Sequence, residues 1–395
     1  MNIFLILIFV YLLVGVVYLF VFALAGKISS HATYPVSKEV KKIALVIPAY
    51  KEDNIIIDTV KQALDHNYPS EGYFIFVMAD QLSSETLSTL HQLPVTVYQV
   101  FHQESTKAKS LNAFFEMKQS VMFDLVMVLD ADNVMQPGCL NKINDAFFAG
   151  KKVVQCHRTA KNKHNALAIL DAISEEIRIN IFFAGQRAFG LSAELIGSGM
   201  AFEYSLLKDI LQNKYVQESP GEDKEMTLQL MKKGITVEYL ADAFVLDEKV
   251  SDLQVFKRQR KRWIESQLQI ITSFFRSEFK EVRSKRVFWY RLFQNLLLPR
   301  SFYMILLPFI TVLSFLFEVF ELKFSPEWMW WLSLTLLYFL SLLLSVPISY
   351  FNVNTLMAIG KLPRVLISML WAALGAKMNN KVFVATTKGR DEKII

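Results

Sequence analysis

Two aspartates separated by one residue carry the sharpest chemical signal in this 395-residue sequence. Asp130 and Asp132 follow an apolar run, and alternate residues that leave a strand can direct oxygen ligands at one hard divalent cation. Such a cation commonly keeps water and substrate phosphate in its shell. The alternative is a polar turn before a helix that begins near Pro137. Acidic residues also follow the apolar runs at 43–47 and 74–78, and this repetition favours a shared site.

Three further segments combine reactive or flexible residues with a suitable position. Glu222 and Asp223 precede a helical pattern that runs to about Lys233, and taken alone an acidic pair at a helix start is typical of residues that favour the helix dipole. The segment 259–263, Gln-Arg-Lys-Arg-Trp, places an aromatic ring beside positive charges, which taken alone is typical of side chains that snorkel at a membrane surface. Gly-Ser-Gly-Met at 197–200 predicts a glycine-rich turn.

The elements that would position these residues alternate between strand and helix patterns from about 41 to 252. Helical patterns such as 55–65 and 105–119 separate short β-rich runs, which predicts an α/β domain with a mostly parallel sheet and helices on both faces. In open sheets of this kind ligands bind outside the carboxyl ends of the strands, where the acidic residues stand. The predicted strands are 43–47, 74–78, 95–100, 125–129 and 153–156.

The apolar excess lies at the two ends of the chain. Residues 3–25 form an uncharged run long enough to cross a bilayer, and its length favours an uncleaved anchor over a cleaved signal. Two further runs, 301–320 and 328–350, predict crossings, and the Lys and Arg around them place the middle domain and the tail in the cytoplasm. Amphipathic patterns predict interfacial helices at 263–279 and 287–298, and 364–378 is either a third such helix or a short fourth crossing.

Composition excludes several classes of protein. With 53% hydrophobic and 20% charged residues the chain is too apolar for a disordered or fibrous polymer. The net charge of +6 is modest and lies where a membrane protein keeps its cytoplasmic cations, so nucleic acid is not expected as a partner. Cys139 and Cys156 are the two cysteines, and their predicted cytoplasmic position favours neither a disulfide nor a zinc site.

Taken in order, these motifs resemble the membrane-bound family 2 glycosyltransferases, the group that includes cellulose, chitin and hyaluronan synthases and ceramide glucosyltransferase. Gly221 departs from the family pattern, which often has Thr at this place. The resemblance spans most of the chain and rests on a strand end at 48–52, an acid at Asp80, D-x-D at 130–132, an acid pair at 222–223 and Q-x-x-R-W at 259–263.

This resemblance implies a cytoplasmic GT-A-like, Rossmann-type domain joined to transmembrane and interfacial helices in a multi-pass protein of the cell membrane. The expected divisions are a transmembrane anchor at 1–26, the glycosyltransferase domain at 41–252, the Q-x-x-R-W segment with interfacial helices at 253–300, two transmembrane helices at 301–350, and an interfacial helix with a basic cytoplasmic tail at 351–395.

The resemblance also implies roles for individual residues. Asp223 is expected to be the catalytic base, with Glu222 as the next candidate, and Asp132 with Asp130 to hold Mg²⁺ or Mn²⁺. The acceptor is expected at Gly199, Met200, Gln259 and Trp263. The nucleotide sugar is expected at Pro48, Ala49, Tyr50, Glu52, Asp80, Lys109, Asp130 and Arg262.

The activity implied is an inverting transfer of a sugar from a nucleotide-diphosphate sugar, expected to be a UDP-sugar, to a growing polysaccharide. The Q-x-x-R-W motif favours this acceptor, whereas the small number of crossings favours a lipid acceptor in the membrane. Membrane lipids are expected partners in either case, and a homo-oligomer that assembles a tunnel stays open. A catalytically inactive membrane scaffold is the alternative from another class, and a transporter is disfavoured because the crossings hold almost no charge.

Overall fold

The computed structural model describes residues 2–118, 121–276, 279, 282–322 and 324–375. The predicted basic tail from 376 onwards therefore lies outside the described residues. Within them, an eight-stranded sheet in the order β3-β2-β1-β4-β7-β6-β8-β5 forms the centre of the domain. The strands are β1 (Ile43–Tyr50), β2 (Tyr73–Asp80), β3 (Thr96–Val100), β4 (Leu125–Val128), β5 (Val134–Met135), β6 (Val153–Ala160), β7 (Met200–Glu203) and β8 (Glu238–Asp247).

The sheet is mostly parallel, as the sequence predicts. Strands β1, β2, β3 and β4 pair in parallel, and β6 pairs in parallel with β8. The short strand β7 runs antiparallel between β4 and β6, and β5 runs antiparallel to β8 at the edge. All five predicted strands are present, whereas β5, β7 and β8 were not predicted.

Side chains alternate between two apolar layers, one on each face of the sheet. On β1, Ala44 and Val46 pack into one layer, while Ile43, Leu45 and Ile47 pack into the other. Because successive residues of a strand point to opposite faces, a strand covered on both sides is apolar throughout. Burial on both faces holds the strands in register, so that their carboxyl ends meet at one edge.

Helices cover both faces of the sheet and continue into a separate helical layer. The helix patterns at 55–65 and 105–119 correspond to α2 and α4. The helices are α1 (Asn2–Ile28), α2 (Ile56–Leu64), α3 (Ser84–Leu90), α4 (Lys107–Glu116), α5 (Cys139–Phe148), α6 (Ala166–Ile179), α7 (Gln186–Ala188), α8 (Tyr204–Leu211), α9 (Lys214–Glu218), α10 (Glu222–Lys233), α11 (Leu253–Ser273), α12 (Lys285–Leu296), α13 (Arg300–Val319), α14 (Trp328–Ser345), α15 (Val353–Ile359) and α16 (Leu362–Leu374), with a π-helical turn at Asn180–Gly185 and 3₁₀ turns at Ser70–Gly72 and Ile348–Tyr350.

Three helices of the described chain, α1, α13 and α14, are long and apolar enough to cross a membrane. They correspond to the three predicted crossings. Helices α15 and α16 are separated by a bend of 50°, and together they could form a fourth, broken span. Residues 263–273 of the predicted interfacial segment 263–279 belong to α11, which starts at Leu253, ends at Ser273 and carries the whole Q-x-x-R-W motif.

The helical layer is packed directly against the sheet domain through the π-helical turn. A Cβ atom at Gly185 would lie 2.2 Å from the Phe22 carbonyl oxygen of α1, so only glycine permits this approach. Asn180 donates hydrogen bonds from Nδ2 to the Ala23 carbonyl at 2.9 Å and to Ser345 Oγ at 3.0 Å. These contacts hold the π-helical turn against α1 and α14.

Candidate active site

The carboxyl ends of β1, β2 and β4 converge on a continuous cavity of about 1200 Å³. Tyr50 and Asp80 are register partners at the ends of β1 and β2, and Leu129 donates its backbone N–H to the Val46 carbonyl at 3.1 Å. The structure brings most of the predicted residues to this one cavity, which is lined by Pro48, Ala49, Tyr50, Glu52, Asp80, Asp130, Asp132, Glu222, Asp223, Gln259, Arg262 and Trp263.

Asp80 is a buried acceptor that faces the cavity. Its side chain is 1% exposed, and neither carboxylate oxygen has a hydrogen-bond partner within the described residues. Leaving a buried acceptor unsatisfied is costly, typically about 1–3 kcal/mol and more for a charged group. Ligand N–H or O–H groups entering the cavity would satisfy it.

Lys107, rather than the predicted Lys109, supplies the ammonium group near the D-x-D motif. Lys107 Nζ pairs with Asp130, donates to the Gly197 carbonyl at 2.7 Å and lies 4.0 Å from Glu222 Oε1. Lys109 Nζ instead donates to the Glu104 carbonyl at 2.9 Å, and Lys109 does not line the cavity. Residues two apart on a helix point to nearly opposite sides, so only one of the two lysines can face the site.

Glu222 and Asp223 lie in the first turn of α10 and point towards the same space. A Cβ atom placed on Gly197 would be 3.9 Å from both Glu222 Oε1 and Asp223 Oδ2. Gly221 precedes them, and a Cβ atom there would lie 2.3 Å from Ser266 Oγ of α11. The close packing of α10 on α11 therefore explains why this chain has glycine where the resemblance suggests threonine.

The Q-x-x-R-W segment forms one turn of α11 at the wall of the cavity. Gln259, Arg262 and Trp263 all line it, and Gln259 Oε1 is buried without a partner in the described chain. Arg260, which the sequence reasoning did not select, is buried beside them. It pairs with Asp171 and stacks on Trp263 with its guanidinium 3.9 Å from the ring centroid, which fixes the orientation of the ring.

A second charged group in the cavity was missed by the sequence reasoning. Lys249 pairs with Glu175 and donates to Asp247 Oδ2 at 2.7 Å, and Arg158 Nη2 lies 2.6 Å from Glu175 Oε1. All four residues line the cavity. The only sequence signal was the run Asp-Glu-Lys after an unrecognised strand, β8.

Two predicted acceptor residues lie in the core instead of on the cavity wall. Met200 is fully buried within the apolar layer on β7, and neither it nor Gly199 lines the cavity. A Cβ atom on Gly199 would lie 3.0 Å from a methyl group of Val245 and 3.4 Å from the Cys156 Cβ. The glycine-rich turn contributes Gly197 to the site and then enters the sheet.

A family model described as Glycosyltransferase like family 2 matches residues 41–266, more than half of the chain. The chain belongs to glycosyltransferase family 2. A probable glycosyltransferase of Bacillus subtilis, YdaM, is 22% identical over 268 residues, which cover 64% of this chain and 61% of YdaM. The chain thus spans less than two thirds of the length of that relative.

This family 2 chain shares its fold with a solved structure. The mannosyltransferase PcManGT from Pyrobaculum calidifontis, solved in complex with GDP-Man and Mn²⁺, superposes with a TM-score of 0.55 at 13% identity. The match covers 92% of this chain and 99% of PcManGT. The GT-A-like architecture predicted from the motifs is therefore confirmed.

The D-x-D motif of this family 2 chain offers a donor set suited to a hard divalent cation. Asp132 is 5% exposed and lines the cavity with Asp130. Within the described residues no cluster of three or more His, Cys, Asp or Glu side chains could enclose a metal ion. Two carboxylates at an open cavity fit Mg²⁺ or Mn²⁺, because such ions commonly complete their shell with water and substrate phosphates.

Glu222 is the acid of this site with the clearest change in acidity. Burial, reinforced by the neighbouring Asp223 and opposed by Lys107, raises the pKa of Glu222 to about 7. A raised carboxyl pKa contributes stability that is fully present below the unfolded value near 4.5 and is lost as pH rises through about 7. We therefore expect the stability of the Glu222→Gln variant, relative to that of the natural chain, to increase as the pH rises from 5 to 8.

The measurement is the melting temperature of the natural chain and of Glu222→Gln between pH 5 and pH 8. We expect the difference between the two melting temperatures to grow by a few degrees across this range. Glu85→Gln, an exposed first-turn acid of α3, is the control and should show no such trend. A constant difference between natural chain and Glu222→Gln across this pH range would contradict the raised pKa.

Proposed function

We propose that this chain is an inverting, metal-dependent glycosyltransferase that moves a sugar from a nucleotide-diphosphate sugar to a lipid acceptor in the membrane. The observation that carries the proposal is the continuity of the cavity. It begins at the acidic strand ends Asp80 and Asp132 and extends to apolar side chains of α13, α14, α15 and α16. A polar donor and an apolar acceptor can therefore reach one site from different sides.

On the donor side, Tyr50, Glu52 and Asp80 hold the base and ribose. The imide N–H of uracil would satisfy one of the two unpartnered oxygens of Asp80, and a UDP-sugar stays the proposed donor. Pro48 and Ala49 form the floor of this end of the cavity.

Departure of the nucleoside diphosphate requires positive charge near its phosphates. A bound Mg²⁺ or Mn²⁺, held by Asp132 and Asp130, would supply Lewis-acid stabilisation of the leaving diphosphate. Arg262 presents a guanidinium to the same cavity and suits bidentate binding of phosphate oxygens. Lys107 orients Asp130 and, through its contact with the Gly197 carbonyl, ties the D-x-D motif to the turn beside the acid pair.

The acceptor hydroxyl has a high pKa and needs a carboxylate to take its proton as it attacks the anomeric carbon. Asp223 is the proposed base, because it lines the same cavity as Asp130 and Asp132 and lies in the first turn of α10 beside Gly197. A single displacement from the face opposite the diphosphate inverts the configuration at the anomeric carbon. Trp263, on which the Arg260 guanidinium stacks, lines the cavity beside Gln259 and Arg262 and is proposed to contact the acceptor there.

The apolar lining favours a lipid over a polysaccharide as the acceptor. A polymer of sugars would leave many hydroxyl groups without hydrogen-bond partners along such a wall, and each buried unpaired hydroxyl costs free energy. A hydrocarbon tail meets no such penalty and gains about 25 cal/mol for each Å² of apolar surface removed from water. Residues of this wall include Met304, Phe339, Leu342, Leu343, Leu356 and Val365.

The apolar helices are proposed to place the protein in the cell membrane with α1, α13 and α14 as crossings. We keep the domain divisions expected from the sequence, with the transferase domain at 41–252. The Lys and Arg that flank these helices favour a cytoplasmic position for that domain. Packing of α1 against the π-helical turn would hold the cavity at the membrane surface.

A transfer assay tests the proposal. The full chain is reconstituted in vesicles of a bacterial total lipid extract and incubated with Mn²⁺ and a panel of UDP- and GDP-sugars labelled in the sugar. We expect release of UDP and label in a solvent-extractable lipid of defined mass. Label in a water-soluble polymer would replace the lipid acceptor by a polysaccharide, and no nucleotide release with any donor would refute the transferase.

A matched pair of variants on α14 probes the apolar wall. Leu343 lines the cavity and Leu336 lies outside it, and both are largely exposed. Leu343→Trp narrows the path of a lipid tail and should raise the acceptor KM by about tenfold, within the range for a changed apolar contact. Leu336→Trp should leave the acceptor KM unchanged, and equal effects of the two variants would count against a tail in this cavity.

A further inference from the structure

Four cations from four different helices surround the middle of the cavity. We call them the cation cluster: Arg178 of α6, Lys224 of α10, Arg260 of α11 and Arg300 of α13. Arg178 and Arg260 both lie within electrostatic range of the Arg300 guanidinium. The transfer chemistry proposed above assigns no direct role in binding the substrate to any of the four.

Only two members of the cation cluster have a carboxylate partner among the described residues. Arg178 Nη2 lies 2.9 Å from Glu194 Oε2, and Arg260 pairs with Asp171. Glu194 is also shared, because Arg291 Nη1 lies 3.7 Å from its other oxygen. Two further acids that line the cavity, Glu175 and Asp247, are paired with Lys249, and Glu248 lines it next to them.

Lys224 and Arg300 make no ion pair within the part of the chain that the structure describes. Arg300 Nη2 donates to the Ser174 backbone carbonyl at 2.7 Å, and none of the carboxylates in the described part of the chain forms a salt bridge with it. Asp223 and Glu194 act on Lys224 electrostatically without forming an ion pair with it among the described residues. The four cations thus face three acids, Glu194, Asp171 and Asp223, and Glu194 is shared with Arg291, so the cation cluster carries an excess of positive charge that faces the cavity.

A positively charged side chain that has little access to water and no carboxylate partner raises the free energy of the folded protein. Burial lowers the pKa of Lys224, and the nearby Arg178 lowers it further, while Asp223 opposes the shift. Burial also lowers the pKa of Arg260. An anion bound among these side chains would remove the repulsion and would form charge-assisted hydrogen bonds.

The order of groups along the cavity indicates where such an anion belongs. Asp223 and Arg178 both act electrostatically on Lys224, Arg178 also acts on Arg300, and Arg300 begins α13 one turn before Met304 of the apolar wall. The sequence of chemical environments is thus carboxylate, cation and hydrocarbon. A molecule that matches it has a hydroxyl, then an anionic group, then an apolar tail.

We infer that the acceptor is a lipid with a phosphate between its reacting hydroxyl and its tail, and that Lys224 and Arg300 bind that phosphate. The inference rests on the proposed function and adds the headgroup class to it. A phosphodiester lipid and a diphosphate-linked lipid glycoside share this chemistry. The diphosphate of the sugar donor is another phosphate that Lys224 and Arg300 could bind. The experiments below distinguish the donor from the lipid, and one lipid class from the other.

Binding of simple amphiphiles to the full chain in phosphatidylcholine nanodiscs tests the inference without knowledge of the natural acceptor. The probes are octyl phosphate, octanol and UDP with Mn²⁺, titrated by calorimetry against empty nanodiscs as the blank. We expect octyl phosphate to bind at least about tenfold more tightly than octanol. Arg300→Gln and Lys224→Gln should each weaken octyl phosphate binding by about tenfold or more, since each removes a charge-assisted contact.

Two control variants remove an exposed positive charge outside the cavity. Arg364→Gln on α16 matches Arg300→Gln, and Lys208→Gln on α8 matches Lys224→Gln. Both should retain the octyl phosphate affinity of the natural chain. A loss of equal size in the controls would show that the probe senses overall charge rather than this site, and would overturn the inference.

The remaining outcomes are equally decisive. Equal binding of octyl phosphate and octanol by the natural chain overturns the inference. This comparison needs no variant, so the inference can be tested even if a variant fails to fold. A fall in UDP affinity in Arg300→Gln and Lys224→Gln, with octyl phosphate binding retained, assigns the cations to the donor and overturns it as well. Failure of sugar transfer with the phosphate preference intact would refute the proposed function alone.

To separate the two lipid sources, transfer is compared between vesicles doped with phosphatidylglycerol, with a polyprenyl diphosphate glycoside, or with dioleoylglycerol. Phosphatidylglycerol and the glycoside carry phosphate before the tail, whereas dioleoylglycerol has a hydroxyl and no phosphate. Transfer to one of the two phosphate-bearing lipids identifies the source and supports the inference. Preferential transfer to dioleoylglycerol contradicts it.

Discussion

Asp223→Asn is expected to lower turnover by about 10²-fold or more, because loss of a general base is typically of that size. The substitution preserves shape and the oxygen that accepts a hydrogen bond from the Lys224 backbone N–H at 2.8 Å. The fold and the affinity for UDP with Mn²⁺ should therefore persist. The measurement is turnover and UDP affinity in the same preparation.

The competing explanation is that Asp223 only favours the dipole of α10. In that case Asp223→Asn would cost well under about 1 kcal/mol of stability and would leave activity nearly intact. Glu85→Gln removes an exposed first-turn acid of α3 and shows the size of a pure dipole effect. Turnover that survives, or that falls only in step with UDP affinity, excludes Asp223 as the base and makes Glu222 the next residue to test.

Asp132→Ala is expected to lower turnover by about 10³-fold and to abolish the dependence of UDP binding on Mn²⁺. Removing one group that stabilises a developing charge commonly costs 10² to 10³ in rate, and here the ligand of the proposed cation is lost altogether. The measurement is UDP affinity by calorimetry with Mn²⁺ and with chelator, beside thermal unfolding.

Asp242→Ala is the matched control for Asp132→Ala. Asp242 is an exposed carboxylate on β8 that pairs with Lys142 outside the cavity, and such surface pairs contribute little. It should retain both activity and the Mn²⁺ dependence. Full activity of the natural chain in excess chelator, or normal Mn²⁺-dependent UDP binding by Asp132→Ala, would remove the metal role.

Positions that follow long, uniformly apolar strands were predictable from the sequence. Strands β1, β2 and β4 are buried on both faces, so their residues are apolar throughout and the first acids after them mark the strand ends. Asp80, Asp130 and Asp132 were found in this way. The three long apolar helices were predicted for the same reason, since their character depends on composition alone.

Strand β8 was not predictable because its sequence pattern depends on distant partners. Glu238 is buried on this strand, where Arg187 donates to it from Nε at 2.7 Å and from Nη2 at 2.8 Å. A buried carboxylate of this kind interrupts the apolar pattern from which a strand is predicted, and its burial is understood only once its partner, Arg187, is known. The charged group that follows β8, with Asp247 and Lys249, was missed as a consequence.

The choice between Lys107 and Lys109 also required the tertiary structure. Both lysines lie in the first turn of α4, and their spacing shows that they face different sides without showing which side faces the site. Packing of α4 against β1 and β2 decides this, because Phe114 and Leu111 must be buried in the core layer. Lys107 is thereby turned towards Asp130.

The sequence by itself determined the family, the acidic strand ends, the acid pair of α10 and the apolar helices, because each is a local pattern of residue types. The tertiary structure alone decided that one cavity connects these features, and that Lys224 and Arg300 face it without carboxylate partners in the described chain. Arg300 borders an apolar run, and the sequence is equally compatible with a side chain that snorkels to water. Its inward direction depends on the Ser174 carbonyl of α6, 126 residues away in the chain, and such a contact exists only after the helices have packed.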